Sequence, residues 1–370
     1  MKVCGIIAEY NPLHNGHLYQ IKEARKQSGA DIMIAIMSGN FVQRGEPAVL
    51  DKFTRAKAAV ENGIDVVIEL PYIYATESAS YFAKGGVKLL ELAGADYISF
   101  GSECGNLENL MEIADTPVNP DHLHMSLSKG LSFPKAYSLL TSTMEPNDIL
   151  AVSYLKAMKG TSIQPVIIQR TSGYLDTTLS TNASALAIRT ALKEEKEIDG
   201  STVMAKQLQE ADIPWMEKYY PYLRTFLLTS NKERLSEMFL FSEGIENHLV
   251  RCAKDCITWD AFLNMAVTHR YTAGRIRRCV LQALNQVTKY EVSRLPEMDT
   301  LRILAFNEKG RQWLHSMRKK DVRIASRFAD VPYPWRVMEY RTTLLYTSVM
   351  DETKRKEILD KEIGGPVYVR

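Results

Sequence analysis

The chain lacks any long hydrophobic segment. No apolar run among its 370 residues reaches the ~18 residues that a membrane-spanning helix needs. At the N-terminus the apolar stretch Val3–Ala8 is followed at once by Glu9, so its apolar core is too short for a secretory signal. We therefore expect a cytoplasmic protein without membrane contact.

Cysteine is scarce. The five cysteines are scattered, and although Cys252 and Cys256 have the spacing of one helix face, no second Cys or His pair lies near them. This pattern argues against a disulfide framework and against a metal site. Buried free thiols are the expectation, and they fit a reducing compartment.

An excess of charge of one sign is also missing. Lys and Arg total 46 and Asp and Glu total 44, so the formal net charge is only +2. Contact with nucleic acid must then come from local basic patches. The hydrophobic fraction of 45% is typical of a globular protein. A chain of this length exceeds one ordinary core, which predicts two domains.

The first half of the chain alternates two patterns. Runs rich in β-branched residues occupy 2–8, 31–37, 65–70, 96–100 and 164–169. Helical periodicity occupies 18–27, 53–61, 78–92, 135–143, 149–158 and 184–193. Strands without clean alternation that are separated by helices belong to parallel sheets covered on both faces. We predict an α/β fold with a doubly wound parallel sheet.

The second half has a different texture. The charged segment 194–201 contains Asp199-Gly200 and is typical of a linker. Beyond it, helical patterns dominate at 215–228, 232–239, 246–253, 259–269 and 273–284. We predict an ATP-binding catalytic domain at residues 1–195 and a mainly helical domain at residues 196–370.

The most informative segment lies between the first strand and the first helix, where residues 11–17 read Asn-Pro-Leu-His-Asn-Gly-His. Ligands of doubly wound sheets bind at the carboxyl ends of strands, and a helix N-terminus there favours phosphate. His14 and His17 can donate hydrogen bonds to phosphate oxygens. Pro12 stiffens the turn, and Gly16 lets the backbone approach a purine or ribose. The alternative is a capped helix with two surface histidines.

This motif resembles the HxGH signature of the nucleotidylyltransferase superfamily. That resemblance implies a Rossmann-like fold and a reaction in which the substrate attacks the α-phosphate of ATP and pyrophosphate leaves. It also implies that the enzyme catalyses this reaction by positioning the reactants and stabilising charge on the phosphates. Many members carry I-S-S-T-x-x-R at the start of a later helix. In the segment 182–189, Ser184 and Arg189 match that motif, whereas Ala185 and Leu186 do not. The alternative is an N-cap serine and a surface arginine.

A closer resemblance extends through most of the chain. The sequence is similar to the bacterial tRNA(Met) cytidine acetate ligases in segments 5–17, 37–48, 100–103, 146–150, 184–189, 243–247 and 270–278. An isolated H-x-G-H is common, but this ordered set is specific. The resemblance implies that ATP and acetate give acetyl-adenylate. The acetyl group then passes to N4 of the wobble cytidine of elongator tRNA(Met), which forms N4-acetylcytidine.

The resemblance also implies site residues. Those expected to bind ATP are Ile7, Ala8, Glu9, Tyr10, Asn11, Pro12, Leu13, His14, Asn15, Gly16, His17, Leu18, Tyr19, Gln20, Gly101, Asn147, Arg170, Ser184 and Arg189. Mg²⁺ is expected to accompany ATP. The family commonly has glycine near Ala151 and threonine near Leu186, so a hydroxyl contact is missing here.

The segment 37–48 follows the second strand and forms a loop at the same sheet edge. Arg44 is expected to hold the α-phosphate or the adenylate and to complete a catalytic set with His14 and His17, while Lys52 is a candidate for pyrophosphate. The alternative pairs Arg44 with Glu46 or Asp51 on the loop surface, and the sequence favours neither.

Two basic clusters are candidates for RNA contact. The first, expected to bind tRNA, comprises Arg270, Tyr271, Arg275, Arg277 and Arg278. The surrounding segment 261–290 also contains Lys289 and has no Asp or Glu. The second comprises Arg318, Lys319, Lys320, Arg323 and Arg327. Such patches follow a phosphate backbone, and an aromatic ring can stack on an unpaired base. The alternative is a solvated helix face.

Three functions compete at this point. The first is the acetate-dependent tRNA-modifying ligase. The second is a small-molecule adenylyltransferase, which shares the histidine loop but needs no basic helical domain. The third is a non-catalytic RNA-binding protein with a vestigial nucleotide fold, against which the intact His14, Gly16 and His17 argue.

Overall fold

A computed structural model describes residues 1–117, 144–170 and 183–370. The helix predicted at 135–143 and Asn182 lie outside these residues. The strands are β1 (Val3–Ala8), β2 (Ile32–Ser38), β3 (Phe41–Val42), β4 (Glu46–Pro47), β5 (Val66–Leu70), β6 (Tyr97–Ser102), β7 (Gln164–Gln169), β8 (Thr300–Phe306), β9 (Arg323–Ala325) and β10 (Val367–Tyr368).

The helices fall into two groups. Those of the first half are α1 (Asn15–Ser28), α2 (Lys52–Glu61), α3 (Tyr72–Ala75), α4 (Ala79–Leu92), α5 (Leu107–Asp115), α6 (Pro146–Ala157) and α7 (Ala185–Lys193). Those of the second half are α8 (Ala205–Gln209), α9 (Met216–Thr229), α10 (Lys232–Ser236), α11 (Ile245–Asp255), α12 (Trp259–Ala266), α13 (Ala273–Leu284), α14 (Lys289–Ser293), α15 (Glu308–Met317), α16 (Tyr333–Thr347) and α17 (Glu352–Ile363).

The main sheet has the strand order β10-β8-β5-β2-β1-β6-β7, with β9 paired to β8. The five neighbouring strands β5, β2, β1, β6 and β7 are parallel to one another, and β8 is antiparallel to β5. Successive strand residues enter different cores: Ile7 and Ile36 belong to one cluster, whereas Ile6 and Ala35 belong to the other. Burial on both faces explains the continuous apolar runs. The predicted α/β fold with a doubly wound sheet is confirmed.

The strands β8, β9 and β10 correct the sequence-based description of the second half, where little strand pattern is visible. The segment between α14 and α15 supplies β8, whose residues Leu301, Leu304 and Ala305 are fully buried. The sheet therefore extends past the boundary predicted at 195/196. The predicted boundary is therefore not the edge of the sheet, and the division into two domains stays a prediction.

The ends of the first helices follow from local chemistry. Asp51 begins α2, and its Oδ1 accepts the N–H groups of Phe53 and Thr54 at 3.0 Å each, which satisfies two backbone donors that have no partner within the helix. Gly29 ends α1 in the left-handed conformation, with φ 61°. These two residues set where α1 ends and where α2 begins.

Within the described residues, no helix has the length and apolar character needed to cross a bilayer. Cys4, Cys252, Cys256 and Cys279 are buried free thiols, as predicted. Cys104 differs, because it is exposed.

Candidate nucleotide site

A cavity of about 540 Å³ opens at the carboxyl ends of β1 and β6. The predicted residues that line it are Ile7, Ala8, Glu9, Tyr10, Asn11, His14, His17, Gln20, Arg44, Gly101, Asn147, Arg170 and Ser184. Segments that are far apart in sequence therefore meet at one sheet edge. This is where a doubly wound sheet binds its ligands.

Other predicted residues do not line this cavity: Pro12, Leu13, Asn15, Gly16, Leu18, Tyr19 and Arg189. Leu13 is fully buried, whereas Tyr19 is 46% exposed. Asn15 donates from Nδ2 to the carbonyl oxygen of Gly200 at 2.9 Å. Their direct contact with ATP stays a prediction.

The hydrogen bonds of the turn fix the proton positions on its two histidines. His14 begins α1, and its Nδ1 accepts the Gly16 N–H at 3.1 Å. Nδ1 of His17 accepts the His14 N–H at 3.3 Å. A neutral imidazole that accepts through Nδ1 carries its proton on Nε2. Both rings therefore present an Nε2–H donor, and their centroids lie 3.8 Å apart.

Both imidazoles are neutral in this environment. Burial, with the nearby Arg170, Arg189 and Arg44, lowers the pKa of His14 to about 3. Burial and the adjacent His14 hold the pKa of His17 well below its usual range. Because neither ring carries a charge near pH 7, each can offer a neutral hydrogen-bond donor to the cavity, and the positive charge there comes from the nearby arginines.

Two buried arginines support the turn. Arg189 donates from Nη1 to the Asn11 carbonyl oxygen at 2.8 Å, and its Nε lies 3.9 Å from Glu46. Arg55 is fully buried and donates to the carbonyl oxygens of Glu9, Ser38, Gly39 and Leu50. Arg55 thus joins the ends of β1 and β2. The sequence pattern did not reveal this residue, because a helix interior gave no sign that its arginine points inward.

The two cations of the segment 37–52 have different environments. Arg44 lines the cavity, and its Nε lies 3.7 Å from Glu9 Oε2, an ion pair that differs from both partners considered from sequence. Lys52 is 1% exposed, and its Nζ lies 2.6 Å from Glu69 and 2.8 Å from Glu362. This is a correction: Lys52 is enclosed in a buried ion cluster and is not available to pyrophosphate.

Glu103 organises the opposite wall. Its carboxylate accepts the Nδ2–H of Asn147 and the N–H of Asp148, and it lies 3.9 Å from Nε of Arg170. A Cβ at Gly101 would stand 3.4 Å from Arg170 Cγ, an ordinary contact. The wall therefore holds Asn147 and Arg170 together beside the end of β6.

Two predicted roles change in detail. A Cβ at Gly16 would stand 2.9 Å from Cε1 of His14, so the missing side chain makes room for the imidazole and not directly for a purine. Ser184 is the N-cap of α7, where its Oγ accepts the Ala187 N–H at 3.1 Å, and it also lines the cavity.

The first basic cluster is divided between surface and cavity. Arg270 and Arg275 each lie 3.2 Å from Glu243. Their guanidinium carbons lie 5.8 and 5.1 Å from the Tyr271 ring centroid, and Tyr271 is only 7% exposed. Stacking of an RNA base on this ring, as expected from sequence, is therefore blocked here. RNA contact by these residues stays a prediction.

The remaining two arginines of this cluster contact the first half of the chain or line the cavity. Arg277 pairs with Glu46 at 2.7 Å, and Arg278 lines the cavity together with Thr272. In contrast, the second basic cluster, Arg318, Lys319, Lys320, Arg323 and Arg327, is exposed. Sequence reasoning missed the contribution of α13 to the cavity, because the sequence shows no contact between segments over 200 residues apart.

The comparisons with known proteins agree with this geometry. A turn with two histidine donors at the end of β1 in a doubly wound sheet defines the class of nucleotidyl transferases. A family model described as HIGH Nucleotidyl Transferase matches residues 1–361.

More specific relatives share the whole length. The chain is 34% identical over 400 residues to "tRNA(Met) cytidine acetate ligase" of Oceanobacillus iheyensis, with 100% of both chains covered. It is 37% identical to the protein of that name from Caldanaerobacter subterraneus, with 93% of this chain and 91% of that protein covered. The chain therefore belongs to the tRNA(Met) cytidine acetate ligase family of HIGH nucleotidyl transferases.

Solved structures match equally well. The apo structure of Thermotoga maritima TmcAL superposes with a TM-score of 0.90 at 32% identity, with full coverage of both chains. The structure of the same protein bound with alpha-thio ATP gives a TM-score of 0.89 at 32% identity. ATP binding and enzymatic activity follow from this family membership.

Proposed function

We propose that the chain uses ATP to activate acetate and transfers the acetyl group to N4 of the wobble cytidine of elongator tRNA(Met). The observation that carries the proposal is the cavity in which the Nε2–H donors of His14 and His17 face the same space as Arg44 and Arg170. The names of the full-length relatives support the choice of substrates.

In the first step an acetate oxygen bonds to the α-phosphorus while the bond from that phosphorus to pyrophosphate breaks. The two imidazoles hold phosphate oxygens through Nε2–H, and Arg44 and Arg170 stabilise the negative charge that moves to the leaving group. No enzyme nucleophile is needed, because the turn orients the reactants and the fixed donors need no rearrangement.

In the second step the cytidine N4 attacks the acetyl carbonyl carbon, N4 loses a proton, and AMP leaves with the former acetate oxygen. The N4 lone pair is delocalised into the ring, so an activated acyl donor is required. The anticodon base must leave its stack to reach the cavity. The N-terminal turn of α13 joins the basic cluster to this cavity, which fits a tRNA that contacts both halves of the chain.

Mg²⁺ is proposed to arrive with the triphosphate. Within the described residues no group of three or more His, Cys, Asp or Glu side chains is placed to hold a metal ion. A cytoplasmic location is proposed because the substrate is a tRNA.

The proposal is tested by incubating the protein with ATP, labelled acetate and bulk tRNA and then analysing the nucleosides. The expected product is labelled N4-acetylcytidine, found only when ATP and tRNA are both present. A labelled dinucleotide formed from ATP and a small nucleotide would support the alternative adenylyltransferase. Binding of tRNA without any ATP consumption would support the non-catalytic alternative.

A further inference from the structure

Arg278 is a half-buried cation that faces the cavity. It lies in the second turn of α13 and lines the cavity with Thr272. A Cβ added at Gly274 would stand 3.2 Å from its Nη1, so the side chain folds back along the helix past Gly274. Within the described residues its guanidinium is in no hydrogen bond or ion pair, and the Glu77 carboxylate attracts it from a greater distance. Its N–H donors are therefore available to a ligand in the cavity.

The N-terminus of α4 opens on the same space. Ser78, Ala79 and Ser80 line the cavity, and the Ser78 side chain does not cap the helix. The first N–H groups of a helix have no partner within it, and the helix dipole favours an anion at this end. Gln282, about one turn after Arg278 on α13, donates from Nε2 to Oγ1 of Thr76 at 3.0 Å, so α13 lies beside the residues that lead into α4. Glu77, which precedes that helix, attracts Arg278.

An apolar surface continues from the helix end. Ala79 and Phe82 are three residues apart on one face of α4, and both line the cavity together with Ile7 and Phe100. Phe82 and Phe100 are 2% and 3% exposed. A small organic anion needs such a surface for its hydrocarbon part.

This end of the cavity is distinct from the histidine turn. The histidines lie at the start of α1, whereas Arg278 belongs to α13 and Ser78 and Ala79 to the start of α4. The cavity is therefore lined by donor or cationic residues at the turn and by others from α13 and α4.

We propose that Arg278 and the N-terminal turn of α4 bind the carboxylate of the acid substrate, with Ala79 and Phe82 against its methyl group. This assignment rests on the proposed function and specifies where acetate binds. A guanidinium can hold a carboxylate through two parallel hydrogen bonds, and free helix N–H groups can add to them. Arg278 is better suited to a small carboxylate than to an RNA phosphate, because it lies in the cavity wall. The RNA backbone is bulky, and exposed arginines of the same cluster, such as Arg270, are better placed to contact it.

The test is ATP–pyrophosphate exchange without tRNA, measured at varied acetate and at varied ATP. Arg278→Gln is expected to raise the KM for acetate by about 10-fold or more, the range of a lost charge-assisted hydrogen bond, and to leave the KM for ATP within about 2-fold. The control is Arg234→Gln, which removes a guanidinium paired with Gln286 on the exposed surface of the same half. It should change neither constant.

A milder variant guards against loss of folding. Gly274→Ala places a methyl group 3.2 Å from Nη1 of Arg278, and alanine has a higher helix propensity than glycine at this position in the first turn of α13. It is expected to raise the KM for acetate by about 2-fold or more at undiminished thermal stability.

The outcomes separate the subsite from the proposed function. If the unaltered protein shows no acetate-dependent exchange although it binds ATP, the proposed function fails. If it exchanges and Arg278→Gln keeps the acetate KM, the subsite is wrong. An increase confined to the KM for tRNA would assign Arg278 to RNA contact and would likewise overturn the carboxylate assignment.

Discussion

At the scale of single residues, the ring nitrogen that carries the proton decides what His14 and His17 can do. Backbone N–H groups occupy Nδ1 in both rings, so the donors are at Nε2. A neutral imidazole can donate a hydrogen bond to a phosphate oxygen in the ground state. That hydrogen bond becomes stronger as negative charge builds on the oxygen, and a neutral ring does not have to lose the hydration of a charge of its own.

Removal of one donor tests this role. His17→Ala is expected to lower acetate-dependent ATP–pyrophosphate exchange by about 100-fold or more, the range for loss of one donor to a transition-state oxygen. Binding of tRNA should stay within about 2-fold, measured by filter retention. Lys22→Ala, an exposed change on the same helix, is the control. Equal loss of exchange and tRNA binding would contradict the role given to His17.

The lowered pKa of His14 predicts a pH dependence of stability. Above pH 6.5 the ring is neutral in both the folded and the unfolded chain. As the pH falls from 6.5 towards 3, the unfolded chain binds a proton that the folded chain does not, so the free energy of unfolding decreases. At pH 4.5 this loss amounts to about 2 to 3 kcal/mol for this group.

The variant His14→Asn isolates this effect, because asparagine retains a side chain suited to cap α1. Urea unfolding at pH 4.5 and pH 7.5 should show a smaller difference between the two pH values in the variant than in the unaltered protein. An identical pH dependence in both proteins would show that His14 titrates normally when folded.

At the scale of elements, the short hairpin β3–β4 connects the site to α13. Gly45 has φ +79°, and a Cβ there would stand 2.6 Å from Arg277 Cβ and 2.7 Å from the backbone of α13. Glu46 pairs with Arg277 on one side and lies 3.9 Å from Arg189 on the other. The hairpin therefore transmits the position of α13 to the arginine that supports the histidine turn.

Gly45→Ala tests this packing. It combines the cost of left-handed backbone, about 1 kcal/mol, with a collision against the main chain of α13, so we expect a loss of at least about 3 kcal/mol in the free energy of unfolding. Gly160→Ala is the matched control: its φ is +86°, but nothing lies within 4 Å of the added Cβ. Equal losses in urea unfolding would show that the hairpin contact contributes nothing.

Elements with strong local patterns were predictable, and those defined by distant contacts were not. The strands β1, β2, β5, β6 and β7 follow from apolar runs that are buried on both faces. The hairpin β3–β4 has two residues in each strand, too few for any periodicity. In the site, His14 and Arg170 follow strands, so their positions could be predicted. Arg55 and Arg278 reach the site from helices, and no local pattern indicates this.

At the scale of the whole molecule, a buried ion cluster joins the two halves. Lys52 and Glu69 from the first half contact Arg302 and Glu362 from the second, with nitrogen–oxygen distances of 2.6 to 2.8 Å. Such charges are stable only in each other's presence, because each one alone would lie buried without compensation. No local sequence pattern reveals this pairing, since its members lie up to 310 residues apart.

This dependence predicts that residues 1–195 do not fold alone. The fragment would leave Lys52 and Glu69 without Arg302 and Glu362 and would expose the edge of β5, which pairs with β8 in the full chain. We expect no cooperative urea transition by circular dichroism, whereas the full chain should show one. A fragment that unfolds cooperatively and binds ATP would contradict this expectation.

The location of the triphosphate is the central claim, and a crystal structure of the protein with a non-hydrolysable ATP analogue tests it most directly. We expect phosphate oxygens within hydrogen-bonding distance of Nε2 of both His14 and His17, with Arg44 or Arg170 on the same phosphates. Phosphates bound elsewhere, with no ligand at the turn after β1, would contradict the account.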